Sequence, residues 1–180
     1  MPIYGENVYL RAVEERDLSQ LLEWRNDPSL RSYFREFRDI PAQSHHKWFL
    51  EKMEDKNDIS LSICRIDTNA LIGHTGLHNI VWVNKSAEFG IYINPVLHGQ
   101  HFGGDALKTL LEYGFDELNL NRIFGEVYTN NTAKSKYLNM GFVEEGRLRE
   151  TYWHAGKYYD SWIVSMIRSD YLNLIANDKF

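Results

Sequence analysis

The sequence is poor in the features that mark several protein classes. It has one cysteine, so Cys64 cannot close an internal disulfide, and its setting in LSICRI reads as a buried strand thiol. No basic neighbour marks Cys64 as an activated nucleophile. No apolar run approaches the roughly 18 residues that a membrane span requires, and the N-terminal stretch carries Glu6, Arg11, Glu14, Glu15 and Arg16. No membrane association is therefore expected, and a soluble, cytoplasmic protein is. Positive charge is not in excess either. The net charge of −5 disfavours nucleic acid as a partner and mildly suits a cationic substrate. No internal repeat, low-complexity tract or Pro/Gly/Ser linker divides the chain. Its 180 residues, 43% hydrophobic and 25% charged, suffice for one globular domain spanning residues 1–180.

What the chain does contain is alternation of two periods. NVYLRAV (7–13) alternates apolar and polar residues, as a half-buried strand does. Asp17 then stands as an N-cap before Leu18, Leu21, Leu22 and Trp24, whose helical spacing stops at Asp27-Pro28. A second helix is expected from about Pro41 to Ser44 onward, with Trp48, Phe49 and Met53 on its apolar side. Residues 59–66, 71–83 and 87–94 read as an antiparallel meander. After Pro95 the period becomes helical through Ala106, Leu107, Leu110, Leu111, Gly114, Phe115 and Leu118. The strand RIFGEVYT (122–129) follows, so helix and strands imply a right-handed crossover with parallel pairing. A short helix from about 131 to 140, stopped by Gly141, precedes two long strands, 142–153 and 158–167, joined at Ala155-Gly156. The expected class is α/β: a mixed, mostly antiparallel sheet with one parallel crossover, flanked by helices.

Chemistry concentrates between Ala87 and Phe142. HGQHFGGDAL opens the long helix, and a helix N-terminus presents unpaired N–H groups and a positive dipole end, so a diphosphate can bind there without lysine. Glycines before a helix also serve simply as a tight turn. Asn130, Ala133 and Tyr137 are spaced by three and four, which aligns them on one helical face.

With these residues the chain resembles the GNAT family, the acyl-CoA-dependent N-acetyltransferases, from Asn7 to about Tyr171. The family's second motif falls without a gap on Asn130, Ala133, Tyr137, Gly141 and Phe142. Its turn pattern falls on His98, Gly99, Gln100, His101, Phe102 and Gly103, followed by Gly104, with His98 in place of Arg or Gln and His101 in place of Gly. If the position of His101 needs a positive φ, histidine is strained there where glycine is not. The resemblance implies a single-domain GNAT fold, acetyl-CoA as cosubstrate, no metal, and acetyl transfer to a primary amine by direct attack on the thioester through a tetrahedral intermediate. It implies that residues 98–104, Asn130 and Ala133 hold the cofactor. It further implies that the strand EFGIYI splays from its neighbour at a bulge, so that Ile91, Tyr92 and Ile93 meet the pantetheine amides and the developing oxyanion. Tyr137 becomes the acid for the departing thiolate; a phenol with a pKa of about 10 is a protonated donor at neutral pH.

An alkyl amine has a pKa of about 10.4, so a base is expected, directly or through water. Glu88, at the start of the splayed strand, is the first candidate, and His74 and His78 are its rivals. The two histidines share a strand face but stand about 13 Å apart at roughly 3.3 Å per residue, which argues against a common metal ion. Adjacent His45 and His46 point in different directions. WRNDPSLR (24–31) and HKWF (46–49) look like the subgroup that acetylates amino sugars attached to nucleotides. In that reading Trp24 stacks on the acceptor while Arg25 and Arg31 meet phosphate or carboxylate; in the other, Trp24 is packed and the arginines make surface ion pairs. AEFGIYI and the closing 144–164 segment are equally similar to spermidine acetyltransferases and to the enzymes that acetylate ribosomal-protein N-termini. The acceptor is thus a small-molecule amine or a peptide N-terminus. A CoA-binding sensor or interaction module without catalysis is the alternative of another class, and the long final strands are compatible with a homodimer.

Overall fold

The computed structural model describes residues 1–180. One eight-stranded sheet runs through the chain in the order β1-β2-β3-β4-β5-β6-β8-β7. Its strands are β1 (Ile3–Tyr4), β2 (Val8–Ala12), β3 (Ile59–Arg65), β4 (Leu71–Val81), β5 (Ser86–Ile93), β6 (Arg122–Tyr128), β7 (Val143–His154) and β8 (Lys157–Ile167). The helices are α1 (Leu18–Asn26), α2 (Pro28–Arg31), α3 (Ala42–Glu54), α4 (Phe102–Glu112), α5 (Ala133–Asn139) and α6 (Arg168–Ala176). Every strand pair is antiparallel except β5 and β6, joined by the α4 crossover. The mixed α/β architecture expected from the change of period is the one found, and no helix is long and apolar enough to cross a membrane.

The core lies on one face of the sheet. Ala106, Leu107, Leu110 and Leu111 of α4 are buried against Val8 and Leu10 of β2, Leu77 of β4, and Ala87 and Phe89 of β5. Each such leucine contributes roughly 1.5–3 kcal/mol by burial. A five-residue π turn (Tyr113–Glu117) extends α4 and buries Phe115. On the opposite face a smaller cluster of Leu21, Trp24 and Leu30 packs with Phe34, Leu71 and Tyr92. Gly141 ends α5 with φ 94°, and a Cβ there would sit 2.5 Å from Leu174 Cδ1. Glycine therefore answers both a left-handed backbone and a close approach.

Several local expectations are corrected. Asp17 does not cap α1. Its carboxylate is buried and accepts from Arg11 Nη1 and Nη2 at 2.6 and 2.8 Å, the Glu14 N–H at 2.9 Å and Ser62 Oγ at 2.8 Å. The acid ties β2 and β3 to the start of α1 because the Arg11 guanidinium and the Ser62 hydroxyl, both on strands, take its oxygens together with the Glu14 amide. Met53 is 67% exposed, and the inward positions of α3 are His45 and Phe49. Asn130 precedes α5 rather than riding on it, since the helix begins at Ala133. The irregularity of the β4–β5 ladder lies at His78–Val81, beside the start of β5, not along EFGIYI.

Candidate active site

The parallel pairing of β5 with β6 is brief. Ser86, Ala87 and Glu88 pair with Arg122, Ile123 and Phe124, after which β5 stays with β4 while β6 stays with β8. A gap opens between the two central strands from Phe89 onward. Asn94 donates its N–H to Ile72 C=O at 2.8 Å. Strand alternation then turns the peptide groups of Gly90 and Tyr92 toward β4 and those of Ile91 and Ile93 toward the gap. This corrects the expectation for Tyr92, whose backbone faces its neighbour and whose side chain packs against Phe34 and His74. The Ile93 carbonyl is already engaged by His98 Nε2 at 3.1 Å, which leaves Ile91 as the open peptide group.

The entrance of α4 lies at the far end of the same gap. His101 has φ 67°, so histidine does occupy the left-handed position that favours glycine. The N–H groups of Gln100 and Gly104 are spent on Leu97 and His101 carbonyls, and that of His98 on Pro95. Those of Gly99, His101, Phe102 and Gly103 have no acceptor in the protein. Four free donors at the positive end of an eleven-residue helix suit a diphosphate. Asp105 is turned to the chain start: it accepts the N–H groups of Glu6, Asn7 and Val8 at 3.0, 2.7 and 3.0 Å and so pins that segment to α4.

Across the gap stands α5. The Tyr137 ring meets Phe89 edge-on at 5.1 Å and Phe142 at 5.9 Å, and its hydroxyl makes no hydrogen bond within the protein. Burial pushes its pKa up to about 12, so the phenol keeps its proton. Asn130 Oδ1 is buried without a partner, a vacancy in hydrogen bonding that a cofactor amide would satisfy. The Ala133 N–H, by contrast, already donates to Asn131 Oδ1 at 2.9 Å.

The opposite side of β5 carries the polar groups. Glu88, Gly90 and Tyr92 face away from the α4 core that receives Ala87 and Phe89, and they align with His78, Gly76 and His74 of β4. Arg35 Nη2 bridges Glu88 Oε1 at 2.5 Å and Glu126 Oε2 at 2.9 Å, and Asn79 Nδ2 donates to Glu88 Oε2 at 3.1 Å. The two carboxylates are 13% and 17% exposed while the guanidinium is 60% exposed. Arg35, Glu126 and Asn79 carried no sequence signal, because each lies on a different element and only the sheet brings them to Glu88.

His74 and His78 do not stand 13 Å apart. Their rings lean together to 6.4 Å and lie nearly parallel, at 9°. Trp24 is 5% exposed and fixed in the smaller cluster, so it offers no face for stacking on an acceptor. Arg31 pairs with Asp39. Arg25 alone of the three keeps an unpaired guanidinium, stacked 3.7 Å over Phe34.

A splayed strand pair, a helix entrance lined with free amides and a protonated phenol beside the gap define a protein built to hold an extended, phosphate-bearing acyl carrier. Residues 7–142 match the model of the acetyltransferase (GNAT) domain. The chain is 32% identical over 165 residues to a spermidine N(1)-acetyltransferase of Vibrio cholerae, covering 91% of this chain and 95% of that protein. It is 31% identical over 179 residues to the uncharacterized N-acetyltransferase p20 of Bacillus licheniformis, covering 94% and 97%. The crystal structure of spermidine N-acetyltransferase from Vibrio cholerae, in complex with CoA and spermine, superposes with a TM-score of 0.88 at 30% identity, covering 93% of this chain and 99% of that one. The chain belongs to the GNAT acetyltransferase family.

Proposed function

We propose that this acetyltransferase moves the acetyl group of acetyl-CoA to a primary amine of a polyamine. The observation that carries the acceptor class is the Glu88–Glu126 pair, two shielded carboxylates on the acceptor side of the splayed strands that share one exposed guanidinium and so keep one negative charge in surplus. An ammonium of a linear polycation can meet that surplus negative charge, or take the place of the Arg35 guanidinium. The spermidine acetyltransferase relative and the spermine-bound neighbour support the same class. The nucleotide amino-sugar reading loses its stacking residue with Trp24 in the core and finds no support among these relatives.

Acetyl-CoA would lie along β5, with its diphosphate on the N–H groups of Gly99, His101, Phe102 and Gly103, and its pantetheine arm against Ile91 and Asn130. The Ile91 N–H would meet the carbonyl oxygen as charge develops on it. Tyr137 would give its proton to the leaving sulfur; a thiol has a pKa of about 8.5, well below that of the phenol, so the transfer is concerted with C–S cleavage. Thiol release measured with spermine, spermidine, nucleotide amino sugars and N-terminal peptides tests the acceptor class. Turnover of the polyamines is expected; turnover confined to an amino sugar or a peptide would overturn it.

A further inference from the structure

Of the groups on the acceptor face, His78 is the one that is both anchored and open. Its Nδ1 lies 2.8 Å from Asp58 Oδ2, and Asp58 is held in turn by Lys52 Nζ at 2.6 Å and Ser60 Oγ at 2.9 Å. Burial alone would raise the Asp58 carboxyl, but the bonds from His78 and Lys52 outweigh it and hold the pKa down at about 2. A permanently ionised acceptor at Nδ1 fixes the tautomer with its proton on Nδ1 and leaves the Nε2 lone pair free. That nitrogen makes no hydrogen bond in the protein and is not sealed from solvent.

The ring lies flat over Gly76 and Gly90. A Cβ built on Gly90 would stand 3.1 Å from Nε2, and one on Gly76 would stand 2.8 Å from Cε1. A Cβ at Gly76 would also stand 2.4 Å from the Ile59 carbonyl oxygen, and one at Gly90 would press directly on the Nε2 edge of the ring. Nε2 therefore sits one residue from Ile91, whose peptide group faces the gap, and on the side of β5 opposite the Tyr137 ring. An amine placed between Nε2 and the thioester would approach from one face while the thiolate leaves toward Tyr137 on the other.

We infer that His78, positioned by Asp58, is the general base that takes the proton from the acceptor amine. This rests on the acetyl-transfer reading above. The other groups packed around His78 are unsuited to the task. Glu88, its cross-strand partner, holds Asn79 and a cation, Arg35 or in its place a substrate ammonium, and so serves as a charge partner that leaves the proton on the nitrogen it binds. His74, stacked against His78, is driven down to about 3 by burial, by His78 and by the charge of Arg25 on α1. His45 on α3 is held at about 4 by burial and Arg25. Neither of the two keeps a proton taken from an amine.

The step balances. One ammonium proton passes to Nε2, and the nitrogen lone pair forms the C–N bond as the C=O π pair moves onto oxygen. On collapse the C–S bond breaks and the sulfur receives the Tyr137 proton. The remaining excess proton on nitrogen returns through water to the phenolate, while the imidazolium releases its proton to solvent. One proton leaves per acetyl transferred.

The test is the pH profile of kcat/KM for spermine in wild type, His78→Gln, Asp58→Asn and Glu88→Gln, with acetyl-CoA affinity measured calorimetrically for each. His78→Gln should lose about 10²-fold in kcat/KM, lose the acidic limb and keep its acetyl-CoA affinity. Asp58→Asn should lower kcat/KM, because an amide in place of the carboxylate no longer fixes the Nδ1–H tautomer, and Glu88→Gln should keep the limb. A limb intact in His78→Gln, or lost only in Glu88→Gln, overturns the assignment. If His78→Gln fails to fold, the ring-nitrogen shifts of wild-type protein labelled with 15N-histidine decide it: the Nδ1–H tautomer with an Nε2 shift on adding spermine supports the base, and an Nε2–H tautomer overturns it. If spermine is inert while another primary amine is acetylated, only the polyamine reading fails, and the same profiles with that amine decide the role of His78.

Discussion

Acidifying the protein should destabilise it through two buried, neutral histidines. His74 is 6% exposed, makes no hydrogen bond through its buried Nε2, and packs between Trp48 and Tyr92. Its pKa is lowered to about 3, and that of His45, stacked on Trp48 at 5.0 Å, to about 4. In the unfolded chain both titrate at about 6.5. The folded values are depressed, so the unfolded state binds more protons below that pH. The stabilisation is complete above pH 6.5 and is lost as pH falls toward 3 to 4. At about 1.36 kcal/mol per unit, the fall from pH 7.5 to 4.5 removes roughly 2–3 kcal/mol per ring. Single domains are stable by roughly 5–15 kcal/mol, so the loss is large. Urea unfolding at pH 7.5 and pH 4.5 measures it. His74→Phe should cut the difference by roughly 2–3 kcal/mol. At pH 7.5 the same variant should gain about 1 kcal/mol, because an unsatisfied buried nitrogen is replaced by apolar surface. An unchanged pH dependence in His74→Phe would refute the reasoning.

Three further outcomes follow from the site. Tyr137→Phe should lower kcat by about 10²-fold or more while calorimetry finds acetyl-CoA affinity within about twofold of wild type; an unchanged kcat removes the acid role. Arg35→Ala frees Glu88 and Glu126 for a substrate ammonium, so steady-state kinetics should show a lower KM for spermine, and a higher KM would mean that Arg35 binds the acceptor rather than standing in for it. His101→Gly relieves a left-handed histidine at φ 67°. Since the left-handed strain of roughly 1–2 kcal/mol is partly offset by the greater freedom of glycine in the unfolded chain, thermal unfolding should show a gain of about 0.5–1 kcal/mol.

The sequence by itself determined the parts of this protein whose signals are local. The change from a period of two to a helical period after Pro95 placed the α4 crossover and hence the one parallel pair, because hydrophobic spacing and a helix's handedness are properties of a single segment. The family likeness of residues 130–142 led to the acetyltransferase assignment, and His101, standing where the family pattern has Gly, raised the condition of a positive φ that the backbone meets. Tertiary structure decided the rest. Asp17 looked like a cap because its local amides are near in sequence, yet Arg11 and Ser62 hold it. Trp24 looked equally like a platform or a core residue until packing buried it. His74 and His78 looked about 13 Å apart at the repeat of an extended strand, and side-chain lean, which spacing does not encode, stacked their rings at 6.4 Å. Asp58 lies 20 residues from His78, and Arg35 lies 53 from Glu88 and 91 from Glu126. Such pairings have no period or motif to reveal them, since they exist only where strands and loops distant in the chain are brought onto one face of the sheet.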